Sequence, residues 1–223
     1  MAILVIDVGG THIKLKCQGS DEVRKCPSGL ELTPAKMIEL IRSATHDWKF
    51  DRASMGYPGP VIDGAIAREP VNLAAGWMGF DFASALGCPI KFVNDAAMQA
   101  LGSYEGGRML FLGLGTGLGT ALIYNHLLLP MELGHLPYKK SLSYEDYLGQ
   151  AGMKRLGRRK WKEAVFDVVD RLRAAFLCEY VVLGGGNVKK LDELPPHCRM
   201  GDNRNAFVGG IRLWETSVRR SFL

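Results

Sequence analysis

Two stretches far apart in the chain, residues 4–17 and 109–124, repeat one pattern: an apolar run, a glycine-rich turn, and a second apolar run. In the first, LVIDV passes through Gly9-Gly10 into residues 12–17. In the second, residues 108–114 pass through GTGLGT into a strand at 121–124. A glycine turn between two apolar runs of strand length predicts a β-hairpin. Its recurrence predicts two related lobes.

The intervening segments alternate in type. Residues 33–44 are expected to be helical: Thr33 is an N-cap candidate, Pro34 suits the first turn, and Met37, Ile38, Ile41 and Ala44 recur at helical spacing. Residues 52–76 are rich in Gly and Pro and read as loop, with short strands around Met55 and Ile66. A short strand at 90–93 stops at Asn94-Asp95, and a helix starts over 96–101. Residues 159–177 form a helix with Val165, Val168, Val169, Leu172 and Phe176 on one face. A strand at 180–183 runs into three glycines, and 206–215 reads as a last short helix. Strands and helices alternating without long polar linkers indicate an α/β fold, here divided as residues 1–100 and 101–223.

The 223 residues suffice for one large domain or two small lobes. No apolar run approaches the roughly 18–20 residues needed to span a bilayer, and MAILVIDVGG reads as a buried first strand, not a signal peptide. The five cysteines, Cys17, Cys26, Cys88, Cys178 and Cys198, are scattered and never form a CxxC pair. That argues against a disulfide framework or a thiolate zinc site, and the cytoplasm is the expected compartment. A net charge of +5 mildly favours anionic partners without indicating nucleic acid. A homodimer is left open.

Five segments carry residue types suited to chemistry. In DVGGTHIK, the turn at Gly9 and Gly10 lets backbone amides approach an anion, with Thr11 and Lys14 as further donors. Asp7, at a strand end, is placed to hold a hydrated Mg²⁺. A plain β-turn is the competing reading. The loop Gly113-Leu-Gly115-Thr116-Gly117-Leu-Gly119-Thr120 has the same chemistry. Its GxGxxG leads into another strand, so it is not a dinucleotide fingerprint. Asn94-Asp95 places a carboxylate at a strand end, where it can take a proton from an attacking hydroxyl or cap the next helix. Glu132 and His135, in ELGH, suit zinc, acid–base work or a polyol, and a lone His is more often structural. Asn72, in NLAAGW, is similarly ambiguous, and Trp77 beside it suits either a sugar face or the core. Finally VVLGGG, with Gly184, Gly185 and Gly186, allows a close ligand or makes a tight turn.

In this order, the segments DVGGTHIK, NLAAGW, VNDA, LGLGTGLGTA, ELGH and VVLGGG resemble the ROK family of sugar kinases and regulators, over nearly the whole chain. The resemblance implies a two-lobed actin-like ATPase (ribonuclease H-like) fold, with the sugar in the cleft and Asp95 as catalytic base. It implies that Asn72, Asn94, Glu132 and His135 hold sugar hydroxyls. Gly9, Gly10, Thr11, Lys14, Gly115, Thr116 and Gly117 would line the phosphate channel, with Gly184–Gly186 on the nucleotide side and Mg²⁺ as cofactor.

Many family members follow the GH motif with a cysteine-rich zinc segment and a further sugar-binding glutamate. Here LPYKKSLSYEDYLGQAG follows instead. Zinc is therefore not expected, and Glu145 takes the place of that glutamate. The missing cysteines, the compact chain, GHLPYKK and YVVLGGGNVKKL look like the polyphosphate-glucokinase branch, which implies inorganic polyphosphate and/or ATP as donor to the 6-hydroxyl of glucose or mannose. Lys139, Lys140, Lys154, Arg155, Arg158, Arg159, Lys160 and Lys162 form a basic strip suited to a polyanion, or simply the solvated start of a helix. With the phosphate motif starting at residue 7, no helix-turn-helix domain is expected ahead of it, which weighs against a transcription factor.

Overall fold

The computed structural model describes residues 2–215 and 219–220. Two sheets built on one plan dominate it. In the first, β1 (Ile3–Val8), β2 (His12–Cys17) and β3 (Arg24–Pro27) form an antiparallel meander. On the free side of β1, β4 (Arg52–Tyr57) and β7 (Ile90–Asn94) add in parallel, giving the order β3-β2-β1-β4-β7.

The second sheet repeats this. β8 (Arg108–Leu114), β9 (Leu118–Tyr124) and β10 (Leu127–Met131) form the meander, and β13 (Tyr180–Gly184) and β14 (Cys198–Met200) add in parallel beside β8. β15 (Arg219–Arg220) pairs with the outer edge of β10. Two small hairpins, β5–β6 (Val61–Ile62, Ala65–Ile66) and β11–β12 (Pro137–Lys139, Leu142–Ser143), stand apart from the sheets.

The helices fill the faces. α1 (Pro34–Ala44) starts on the Thr33 cap, whose hydroxyl accepts from the Lys36 amide at 3.3 Å. It lays Met37, Ile38 and Ile41 against Leu4, Ile6 and Val8 of β1. The alternate residues Ile3 and Val5 face the opposite way. There they meet α3 (Asp95–Ser103), α6 (Asn205–Arg212), and Met109 and Phe111 of β8. α3 and α6 therefore lie between the two sheets. The chain passes from the first sheet to the second through α3, and α6, which follows β14, packs back against β1 and β4. Gly102 and Gly209 make the helix contact possible, because a Cβ on either would run into the backbone carbonyl of the facing helix. Beyond the second sheet, α5 (Gln150–Ala175) buries Val165, Val168, Val169 and Leu172 against Leu110, Leu112 and Leu114. α2 (Phe82–Leu86) and α4 (Tyr144–Leu148) are single short turns. No described helix is long and apolar enough to cross a membrane.

The short strands expected around Met55 and Ile66 are β4, which is buried from Ala53 to Tyr57, and β6. Residues of β4 are small where helices lie on them: the Ser54 hydroxyl donates to the Gly210 carbonyl at 2.6 Å, and a Cβ at Gly56 would strike Met98. α5 is broken at Gly157, whose φ of 76° and ψ of 158° are not helical, so the helix expected from 159 follows the break and is preceded by a further helical stretch, 150–156, that the sequence reading lacked. The last helix ends at Arg212 rather than 215.

Candidate functional site

β1, β4 and β7 run in parallel, so Asp7, Tyr57 and Asn94 arrive at one edge of the first sheet, the edge where α/β sheets bind ligands. Asp7 is buried, and its register partner across the hairpin is Lys14. The Lys14 ammonium donates to Asp7 Oδ2 at 2.9 Å. The turn beyond is closed by the Gly9 amide on the His12 carbonyl at 3.0 Å, leaving Gly10 and Thr11 exposed at its tip. A Cβ on Gly10 would lie 3.7 Å from Cβ of Asn72, so the Asn72 loop rests on this turn.

At the end of β7, Asn94 is the cap of α3. Its Oδ1 accepts from the Ala96 amide at 2.9 Å and the Ala97 amide at 3.3 Å, while Nδ2 donates to the Gly59 carbonyl at 3.2 Å. Its side chain thus caps the helix and keeps one Nδ2 N–H for a ligand. Asp95 follows as the first helical residue, with Oδ1 accepting from the Ala96 amide at 2.7 Å. Desolvation pushes its pKa up to about 7, the nearby charges of Asp7 and Glu132 adding to the rise and the Ala96 amide and Lys14 opposing it. A carboxyl group with a pKa near 7 at the carboxyl end of β7 suits proton transfer.

The second glycine turn is braced from three sides. The Leu118 amide donates to Glu145 Oε2 at 2.9 Å. The Gln150 amide donates to the carbonyls of Gly115 and Thr116, both at 3.1 Å. Asn187, which is buried, donates from Nδ2 to the Gly115 carbonyl at 2.9 Å and from its backbone to the Leu114 carbonyl at 2.9 Å. In the GGG segment, Gly185 has φ of +82° and lies so close under the Leu114 carbonyl that a Cβ there would collide with it. Gly186 faces open space. The two glycine segments of the second lobe are therefore one unit, with Asn187 as the link. A lone Asn after three glycines carries no sequence signal of that role.

Glu145 joins this turn to ELGH: Gly117 is in contact with its carboxylate, and a Cβ on Gly134 would lie 3.5 Å from its Cβ. Glu132 and His135 open and close a single 3-10 turn, Oε2 to Nε2 at 3.7 Å, both well exposed. Desolvation raises the Glu132 pKa, and Glu145 adds to the rise. His135 and Arg68 oppose it, so these four side chains share one field. Trp77 is core: it is fully buried between Tyr57 and Phe82, with ring centroids at 5.6 and 5.9 Å, and has no face for a sugar.

Around Asp7 the donor set suits a hard, hydrated cation: a buried carboxylate with one oxygen on Lys14, near the second carboxyl of Asp95. Among the described residues, no three His, Cys, Asp or Glu cluster to chelate a metal on their own. The cysteines are free thiols, all buried except the partly exposed Cys198. Much of the basic strip is paired: Arg158 and Lys162 with Asp192, Arg159 with Glu163 and Lys139 with Asp167. Arg155 donates to the Asp146 carbonyl. Among the described residues, Lys140, Lys154 and Lys160 have no ion pair. Lys160 lines a hollow of about 220 Å³ with Lys139, Tyr138 and Tyr147.

No protein-family model matches the chain. A polyphosphate glucokinase of Mycobacterium tuberculosis is 27% identical over 213 residues, covering 86% of this chain and 80% of that protein. The solved inorganic polyphosphate/ATP-glucomannokinase of Arthrobacter sp. strain KM superposes with a TM-score of 0.76 at 24% identity, over 93% of this chain and 96% of that one. A ROK family transcriptional regulator, a homologue of the E. coli Mlc protein, superposes with a TM-score of 0.74 at 14% identity, over 97% of this chain and 78% of that one. The duplicated sheet plan and these superpositions lead to one conclusion about architecture: the chain has the two-lobed α/β fold of the ROK sugar kinases.

Proposed function

We propose that this chain is a hexose kinase that transfers the terminal phosphoryl group of inorganic polyphosphate or ATP to the 6-hydroxyl of glucose or mannose. The observation that carries the reading is Asp95, a carboxyl group held near pKa 7 at the end of β7, beside the first glycine hairpin and within the field of Glu132. Similarity to the mycobacterial and Arthrobacter enzymes supports the choice of donor and acceptor.

In this reading the sugar lies between Asn72, Glu132, His135 and Glu145, with its 6-hydroxyl toward Asp95. Asp95 accepts the hydroxyl proton as the oxygen attacks the terminal phosphorus. The amides of Gly10, Thr11, Thr116 and Gly117 receive the phosphate oxygens, the Gly115 amide being already donated to the Gly117 carbonyl at 3.1 Å. Asp7 would hold a hydrated Mg²⁺, which supplies positive charge against those oxygens when bound. Lys14 orients the Asp7 carboxylate through its hydrogen bond at 2.9 Å.

The test is a matrix of hexoses and amino sugars against ATP, GTP and polyphosphate, with Mg²⁺ or with chelator, read as sugar 6-phosphate formed. Glucose or mannose phosphate from polyphosphate or ATP supports the reading. Binding of sugar without turnover under any donor supports a non-catalytic sensor, the reading favoured by the regulator of the same fold.

A further inference from the structure

The loop that carries Asn72 is shaped by a residue that no sequence motif singles out. Glu69 lies at the start of this loop, and its carboxylate accepts three consecutive backbone amides from the far end. Oε2 takes Gly76 at 3.0 Å and Trp77 at 3.0 Å, and Oε1 takes Met78 at 3.1 Å. Just before it, the Arg68 carbonyl accepts from the hydroxyl of the buried Tyr57 at 2.8 Å, which fixes the loop's entry to the end of β4. Its exit is fixed by Trp77 in the core, after Gly76 turns the chain at a φ of +98°. Between these anchors Leu73 is buried, while its neighbour Asn72 is exposed above Gly10 and, among the described residues, has no hydrogen bond of its own.

Three amides pointing at one carboxylate replace the cross-strand ladder that this irregular segment lacks. Removing the carboxylate leaves all three without an acceptor, so the loop must open to water or refold. Asn72 would then lose its place over the first glycine turn.

We propose that Glu69 is a positioning residue for the sugar: it closes the 69–78 loop and so holds Asn72 at the acceptor site without touching the substrate. This rests on the kinase reading given above. Glu69→Ala is expected to raise the sugar KM about tenfold, the size of one lost oriented hydrogen bond, with the donor KM within twofold of wild type. Glu69→Gln keeps one acceptor oxygen and is expected to fall between. Because Glu69 acts through Asn72, the double variant Glu69→Ala/Asn72→Ala should be no worse than Asn72→Ala alone. In hydrogen exchange, the amides of residues 76–78 should lose protection in Glu69→Ala while those of β1 and β4 keep theirs.

A sugar KM unchanged in Glu69→Ala, a donor KM rising equally, or additive single effects would each overturn the proposal. A wild-type protein that phosphorylates no sugar with any donor defeats the kinase reading itself, and is recognised before any variant is made.

Discussion

Asp7 and Asp95 face one another electrostatically: although Lys14 is bonded to Asp7 at 2.9 Å, the Asp7 charge still helps hold the Asp95 proton. A base that must lose that proton works only above its pKa. The kcat/KM for sugar should therefore rise with pH through about 7 and level off above it. Asp7→Asn removes the like charge and should move this limb to lower pH, whatever it does to the maximal rate. Asp95→Asn should abolish the limb and lower turnover by about 10²–10⁴-fold while sugar binding survives. Steady-state pH profiles of the three proteins decide it, and activity of Asp95→Asn within a few-fold of wild type excludes the assigned role.

The same group leaves a mark on stability. An unfolded Asp releases its proton near 3.8, whereas the folded one keeps it up to about 7. Between these values the native state binds more protons than the unfolded state, so stability falls as pH rises through the window. Asp95→Asn carries no ionisation cost. It should melt at a higher temperature than wild type at pH 8, with the gap closing toward pH 4. Thermal melts at a series of pH values measure this, and a mutant less stable at pH 8 contradicts it.

Glu132 and His135 sit together and exposed, 3.7 Å apart, with no structural bond that their loss would break. Glu132→Gln and His135→Ala should therefore leave the melting temperature within a degree or two and raise the sugar KM. The expected size is about 0.5–3 kcal/mol of lost transition-state binding for each. Calorimetric titration with sugar and, separately, with donor checks the direction. Weaker donor binding at constant sugar affinity would move these residues to the phosphate side.

Glu145 and Gly185 brace the second glycine turn in different ways, and their variants should part accordingly. Glu145→Ala frees the Leu118 amide, so donor and sugar KM should both rise in a protein that remains folded. Gly185→Ala forces a left-handed φ and a collision with the Leu114 carbonyl, both backbone problems with no easy relief. It should cost about 2 kcal/mol or more of stability. Denaturant unfolding and kinetics on the same samples separate the two, and a Gly185→Ala protein as stable as wild type would show that the turn can move.

What could be read without coordinates follows the physics of each signal. The hairpins at Gly9 and at 115–117 were legible because apolar runs and glycines act locally. The α1 cap at Thr33 was legible for the same reason. β4 was legible only as a short strand around Met55 inside a loop-like segment, since Ala53, Ser54 and Gly56 are small to fit beneath α3 and α6, and small residues look like loop. Asn94 appeared as a ligand and Asp95 as an alternative cap. The cap is Asn94, one residue earlier, a distinction that depends on where the helix starts. Asn187 and Glu69 went unseen because their bonds join segments 72 residues apart in one case and an irregular loop in the other. Neither arrangement has a periodicity.

The basic strip is the last point on which a measurement can decide the donor. Arg158, Arg159 and Lys162 are engaged with Asp192 and Glu163, so the solvated-helix reading accounts for much of GRRKWK. Lys140, Lys154 and Lys160 have no such partners among the described residues, and Lys160 borders the hollow shared with Lys139 and Tyr138. A polyphosphate longer than a triphosphate, if it runs past the 115–117 turn onto α5, would meet these lysines first. Lys154→Ala/Lys160→Ala should then raise the KM for long-chain polyphosphate severalfold and leave that for ATP unchanged. The wild-type polyphosphate reaction should also weaken more steeply with salt than the ATP reaction, since exposed charge pairs are screened over about 8–10 Å at physiological salt. Replacing the paired Arg158 and Arg159 should matter less than replacing the free lysines, because their charge is already partly neutralised. Equal salt dependence for both donors, or a double-lysine variant that treats polyphosphate as wild type does, removes the strip from the donor path. Robust ATP turnover with no polyphosphate turnover at any chain length leaves an ordinary nucleotide-dependent hexokinase.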